Sequence, residues 1–205
     1  MDKKQTSLAH DIIILTIITI VAGILLGIVH DVTAAPIAIQ QQKALEEGQK
    51  AVFENAASFE LADVSDDVLA QIVSDAGLTK TKISTVYLAQ DASGETLGYV
   101  VDSTNSEGYG GDIQILTGIT AADGAYTVNS ITFMSISETA GMGMKAKDAE
   151  FKDQFNDLGA TAVTVSGDAE ATAIDAISGA TITSKAVVKA VNAALSAAQY
   201  MEAQA

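Results

Sequence analysis

Two kinds of hydrophobic patterning divide the chain. From Ile12 to Val29 no residue carries a charge and none is Pro, Asn or Gln, so a helix built from the run has no polar face. At ~1.5 Å rise per residue it is roughly 27 Å long, about the thickness of a bilayer's hydrocarbon core. Lys3 and Lys4 precede it, whereas the first lysine after it is Lys43. That bias places the N-terminus in the cytoplasm and the remainder outside. A cleaved signal peptide is the competing reading, with Val32-Thr33-Ala34 before Ala35 as the cleavage site; the apolar run is longer than a usual signal-peptide core.

Beyond the run the pattern changes. Pro36 is predicted to break the anchor from a second helix over Ile37 to Asn55, where Gln and Glu alternate with Ile39, Leu45, Val52 and Phe53. Ser65 to Ala76 predicts a helix with Ser65 as cap, Val68, Leu69 and Ile72 on one face and Gly77 as the stop. Ile83 to Ala89, Leu97 to Val101, Asp112 to Ile119 and Tyr126 to Ile136 are rich in β-branched and aromatic residues and predict strands. The turn sequences Asp91-Ala92-Ser93-Gly94 and Asp123-Gly124 join them as two antiparallel hairpins. Phe151 and Phe155 sit four apart on a short helix, and Ala160 to Val165 is a further candidate strand. From Ser184 to about Tyr200, Val187, Val191, Leu195 and Ala198 keep a helical stripe that should lie on the sheet.

The class these elements predict is α+β, a mostly antiparallel sheet flanked by helices and preceded by a single transmembrane helix. The expected division is a cytoplasmic N-terminus over 1–11, the anchor over 12–29, a stalk and linker over 30–60 and an extracytoplasmic domain over 61–205.

Composition narrows the chemistry. The formal net charge is −15 and every one of the 11 basic residues is lysine, which leaves no guanidinium forks for phosphate and argues against nucleic acid as a partner. With no cysteine there is no disulfide and no thiolate-held metal or iron–sulfur cluster. The two histidines, His10 and His30, bracket the apolar run, so the domain beyond it has no imidazole base.

One stretch concentrates the candidate chemistry: Asp175-Ala176-Ile177-Ser178-Gly179-Ala180-Thr181-Ile182-Thr183-Ser184, running into the last helix. Gly179 and Ala180 offer a small backbone beside a hydroxyl, and Thr183 or Ser184 can cap a helix whose free N-terminal amides attract an anion such as phosphate. An exposed threonine hydroxyl with no base beside it is a poor nucleophile, so any group on Thr181 has to be attached by another enzyme.

This stretch resembles the FMN-binding domain shared by the G subunit of the Rnf electron-transport complex and the C subunit of the sodium-pumping NADH:quinone reductase. The resemblance implies that Thr181 carries FMN through a phosphoester bond installed by a flavin transferase that uses FAD and magnesium. Asp175 then matches the acidic residue that opens the transferase recognition motif, and Ser178, Gly179, Ala180 and Thr183 surround the cofactor.

A second match is Ser137-Glu138-Thr139-Ala140-Gly141-Met142-Gly143-Met144-Lys145. The family usually reads Glu-Thr-Pro-Gly-Leu-Gly there, so Ala140 stands for proline and Met142 for leucine. By resemblance Thr139, Met142 and Gly143 contact the flavin and Lys145 is a candidate for its phosphate; a polarisable methionine can still pack an aromatic ring. A third match, Gly108-Tyr109-Gly110-Gly111-Asp112, is either a purely structural turn or places Tyr109 near the site.

The function so implied is that of an electron-transfer subunit in a membrane-bound complex coupling ferredoxin:NAD electron flow to sodium or proton transport, working with other membrane subunits. The C subunit of the quinone reductase and a non-redox, membrane-anchored surface module are the alternatives. A free-standing flavin reductase is disfavoured because no Gly-x-Gly-x-x-Gly follows a strand.

Overall fold

The apolar run lies within one helix, α1 (Lys3–Val52). The computed structural model describes residues 3–122, 124–166 and 172–204. The chain divides into two units, residues 1–44 and 45–205.

In the first unit the side chains from Ile12 to Ile39 are exposed. Three of its threonine hydroxyls bond to the helix itself: Thr16 donates to the Ile12 carbonyl, Thr19 to that of Thr16 and Thr33 to that of Val29. The expected break at Pro36 does not occur, because Pro36 sits inside the helix. A proline removes one backbone donor and crowds one carbonyl. Here the neighbours Ala34, Ala35, Ala38 and Gln40 to Gln42 are mostly good helix formers, and the helix runs on across the one missing rung.

The second unit is built on a six-stranded antiparallel sheet in the order β1-β2-β3-β4-β5-β6. Its strands are β1 (Ser58–Leu61), β2 (Thr81–Gln90), β3 (Thr96–Gly108), β4 (Gly111–Ala122), β5 (Ala125–Ile136) and β6 (Leu158–Gly159). A separate parallel pair joins β7 (Val163–Val165) to β8 (Thr172–Ile174). The helices are α2 (Asp66–Asp75), α3 (Ala149–Lys152) and α4 (Thr181–Gln204).

Alternation along β4 shows why the sheet has two covered faces. Ile113, Ile115 and Ile119 are fully buried in the cluster that holds Val187, Val191 and Leu195 of α4. Leu116 points the other way and is buried with Val52 and Phe53 at the end of α1. Each such side chain contributes about 1.5–3 kcal/mol of burial. Alanines 186, 190, 194 and 198 are 0–1% exposed and let α4 lie close to the sheet. Close approach also lets Ser103 Oγ donate to the Ala190 carbonyl at 3.0 Å.

The strands reach further than their apolar runs. β3 continues from Val101 through Ser103 and Asn105, both buried and both hydrogen-bonded, so inward polar residues conceal its second half from a hydrophobic pattern. Asp102, just before Ser103, is 9% exposed, and both its carboxylate oxygens accept from Gln114 Nε2 at 2.8–3.0 Å. Burial pushes its carboxyl above the usual carboxylate range, against the opposing hydrogen bond from Gln114.

The native state therefore holds this proton more tightly than the unfolded chain, and the contribution is lost as pH rises through the folded pKa. Asp102→Asn is expected to raise the melting temperature by a few degrees at neutral pH. The gain should fade in acid, where Asp102 is itself neutral. Melting curves across pH check this; no gain at neutral pH refutes it.

Candidate functional site

Three segments meet at the N-terminal end of α4. The first is the loop that enters the helix. Ala180 N–H donates to the Ile177 carbonyl at 2.9 Å, and Gly179 takes φ +76°, a conformation that costs glycine least. Ser184 Oγ closes the loop by accepting from Ile177 N–H at 3.0 Å and donating to the Ala180 carbonyl at 3.1 Å.

Ser184 N–H donates to the Ala180 carbonyl at 3.0 Å, so α4 starts at Thr181, one turn earlier than its apolar stripe suggests. Neither Thr183 nor Ser184 is the cap. Both are inside the helix and buried, and Ala180 holds the cap position. The first amides of α4 have no carbonyl a turn behind them and remain open to an acceptor.

The second segment is the loop after β5. Met142 N–H and Met144 N–H both donate to the Thr139 carbonyl, at 3.1 and 3.2 Å, and the loop passes Gly141 at φ +75° into a 3-10 turn over Gly143–Lys147. Gly143 is buried so tightly that a Cβ there would lie 2.7 Å from both Glu138 Oε2 and Thr183 Oγ1. The third segment is the β3–β4 turn. A Cβ on its Gly110 would lie 2.0 Å from the Ser137 carbonyl oxygen, backbone against backbone. An ion pair from Lys189 of α4 to Glu107 ties this turn to the helix.

Together the segments enclose a cavity of about 470 Å³ lined by Tyr109, Glu138, Thr139, Met142, Gly143 and residues 179–183. Tyr109, Met142 and Ile182 are 74%, 47% and 54% exposed and form an apolar rim. Thr181 is exposed and Thr183 is 1% exposed. Of the residues singled out from sequence, Thr139, Met142, Gly143, Gly179, Ala180, Thr181 and Thr183 meet here.

Lys145, Ser178 and Asp175 do not. They line a neighbouring cavity of about 390 Å³ with Asp148, Gln154 and Ile177. The 3-10 turn buries Gly143 and Ala146 and leaves Lys145 exposed towards the other cavity, so the expectation that it serves the same site as Thr181 is not met. Asp175 is exposed yet held: Ser166 Oγ donates to its Oδ1 at 2.6 Å and its N–H donates to Gln154 Oε1 at 2.7 Å. Tyr109 takes the second of its two readings and stands at the cavity rim. Glu138 and Ile182 are wall residues that the sequence did not single out. The acidic residue opening the Glu138 to Gly143 loop was the available signal for Glu138.

Residues 108–196 match the model of the FMN-binding domain. The G subunit of the Na(+)-translocating ferredoxin:NAD(+) oxidoreductase complex of Acetobacterium woodii is 36% identical over 185 residues, covering 88% of this chain and 86% of the relative. The G subunit of the ion-translocating oxidoreductase complex of Methanosarcina acetivorans is 35% identical over 205 residues, 99% of this chain and 98% of its own.

The chain belongs to the G-subunit family of ion-translocating oxidoreductase complexes. A third member, from the proton-translocating ferredoxin:NAD(+) oxidoreductase complex of Clostridium ljungdahlii, is 34% identical and covers 95% of this chain and 93% of its own. As a member of the G-subunit family with one long apolar helix, the chain is a membrane protein, and its domain is one that binds FMN.

The cavity suits that cofactor. Its volume lies within the range of small-molecule sites, its rim is apolar enough for a ring, and open helix amides stand ready for a phosphate.

Proposed function

We propose that the chain is the FMN-carrying electron-transfer subunit of a membrane-bound Rnf-type complex that couples ferredoxin:NAD electron flow to sodium or proton transport. The observation that carries the reading is Thr181. It is an exposed residue, the first of α4, on the wall of a cavity with an apolar rim. A phosphodiester formed there keeps its negative charge beside the positive end of the helix dipole. Met142, Thr139 and Gly143 are the residues to receive the rest of the flavin. When bound, FMN supplies the redox chemistry, and the protein supplies the seat and its electrostatics.

The covalent link prevents loss of cofactor outside the cytoplasm, where the lysine bias of the N-terminus puts the domain. No histidine follows His30 in the sequence to activate Thr181, so a flavin transferase makes the bond. Asp175, exposed in the cavity next to Thr181, is the residue it reads. The relatives named for sodium and for proton transport support both ions equally, and the other subunits of the complex are the electron partners.

The test is to express the full chain with a flavin transferase, denature it and look for flavin fluorescence in the gel. Thr181→Ala should abolish the fluorescence. Thr183→Ala should retain it, because a hydroxyl that is 1% exposed is closed to another enzyme. Fluorescence that survives Thr181→Ala and disappears with Thr183→Ala moves the attachment point; a colourless wild type sinks the reading.

A further inference from the structure

One stretch of chain walls both cavities at the start of α4. Residues 179–183 line the cavity at Thr181, and residues 175–178 line its neighbour, together with Lys145, Asp148, Glu150 and Gln154. Asp175 and Thr181 are thus presented on two adjoining surfaces.

Asp175 lies between Ile174, 1% exposed, and Ile177, 9% exposed, whose side chains anchor the stretch in the core. Asp175 itself is exposed, and an exposed loop residue ordinarily leaves its main chain to water. Here one side chain takes both main-chain groups. Gln154 Oε1 accepts from Asp175 N–H at 2.7 Å and Gln154 Nε2 donates to the Asp175 carbonyl at 3.3 Å, as a residue of a neighbouring strand would. Nε2 also donates to the Glu150 carbonyl at 3.2 Å, which sets the plane of the amide. Phe151 and Phe155, both buried and packed edge to face, fix the segment that carries Gln154. The carboxylate is held separately. Ser166 Oγ donates to Asp175 Oδ1 at 2.6 Å, and Ser166 is placed by its own N–H, which donates to the Ile174 carbonyl at 2.8 Å.

Ordering an exposed side chain costs conformational entropy, and a hydrogen bond formed in water returns little of it. The arrangement suits a residue that another molecule has to find in one orientation, because a group fixed beforehand loses less freedom on binding. We propose that Gln154 and Ser166 are positioning residues for flavin attachment, holding Asp175 in the orientation the flavin transferase binds while Thr181 is offered to the reacting phosphate. The inference rests on the reading of Thr181 as the acceptor and Asp175 as the residue the transferase reads. In that step the bond from Thr181 Oγ to phosphorus forms as the phosphoanhydride bond of FAD breaks; AMP leaves, and the hydroxyl proton goes to a base on the transferase. Neither Gln154 nor Ser166 lines the Thr181 cavity, so both act through Asp175.

The unmodified full-length chain in detergent is incubated with a flavin transferase, FAD and magnesium, and covalent flavin is read after denaturation as an initial rate against chain concentration. Gln154→Ala removes both main-chain bonds to Asp175 and should lower kcat/KM about 5- to 100-fold; Ser166→Ala removes one bond and should lower it about 2- to 10-fold. Both losses should fall on KM, with kcat within about twofold of wild type. Asp175→Ala sets the floor. Adding Gln154→Ala to it should cost less than about a further twofold, because a residue that acts through Asp175 then has nothing to position. Melting temperatures of the unmodified variants should stay within about 2 °C of wild type.

A residue that merely supports the fold gives another pattern, a lower melting temperature and a rate loss that persists in full beside Asp175→Ala. Either of these, or kcat/KM within about twofold of wild type for both single variants, overturns the proposal. Such a result with a labelled wild type leaves Thr181 standing as the acceptor, whereas a wild type that takes up no flavin sinks that reading and the proposal with it.

Discussion

Gly118→Ala is expected to destabilise the second unit by about 3 kcal/mol, roughly 6–12 °C in melting temperature. Gly118 faces the end of α1 across the sheet, and a Cβ built on it would lie 2.1 Å from the Val52 carbonyl oxygen and 2.8 Å from its carbon. Both are backbone atoms, so no rotamer change relieves the contact. Relief requires lifting the last turn of α1, and that turn carries Val52, 1% exposed, which closes a small cluster with Phe53, Ala89, Val100 and Leu116.

The control is Gly159→Ala in β6, where an added Cβ meets nothing within 4 Å. It should stay within about 0.5 kcal/mol of wild type. Thermal unfolding of both variants in detergent checks the pair, and equal melting temperatures would show that α1 does not need close approach at β4.

How much of this was legible in the sequence depends on what each residue had to signal. The hydrophobic stripes of β4 and α4 were clear, because Ile113, Ile115, Ile119, Val187, Val191 and Leu195 all face one core. The second half of β3 was concealed, since Ser103 and Asn105 look like loop residues until their side chains find Ala190 and Thr81. β1, β6 and β8 are two to four residues long, too short to carry a period.

Pro36 misled because a local breaking tendency was outweighed by its neighbours. At the site, the motif identified Thr181, Thr139, Met142 and Gly143 as residues of one place, although 38 positions separate Gly143 from Thr181. It could not show that Lys145, two residues beyond Gly143, faces a different cavity. That depends on the 3-10 turn.

Gly110→Ala should weaken flavin seating far more than it weakens the fold. Gly110 lies in the β3–β4 turn, and a Cβ on it would be 2.0 Å from the Ser137 oxygen, 3.0 Å from the Ser137 carbonyl carbon and 3.2 Å from Glu138 Cα. One of two segments has to move. If the turn moves, Tyr109 leaves the rim of the cavity; if the loop after β5 moves, Glu138, Thr139 and Met142 shift together. Either displacement opens the same wall, whereas the cores beneath α4 and α1 contain neither Gly110 nor Ser137.

Overpacking of this kind costs about 1–3 kcal/mol, and where it falls on the seat it predicts roughly 5- to 150-fold weaker FMN binding by the full-length Thr181→Ala chain. Fluorescence titration reads the loss, and melting of the flavin-free chain should show a smaller drop than Gly118→Ala produces. Unchanged affinity would mean that the three glycines of the turn serve the hairpin alone. A drop confined to affinity would mean that they exist to bring two loops within van der Waals contact behind the flavin.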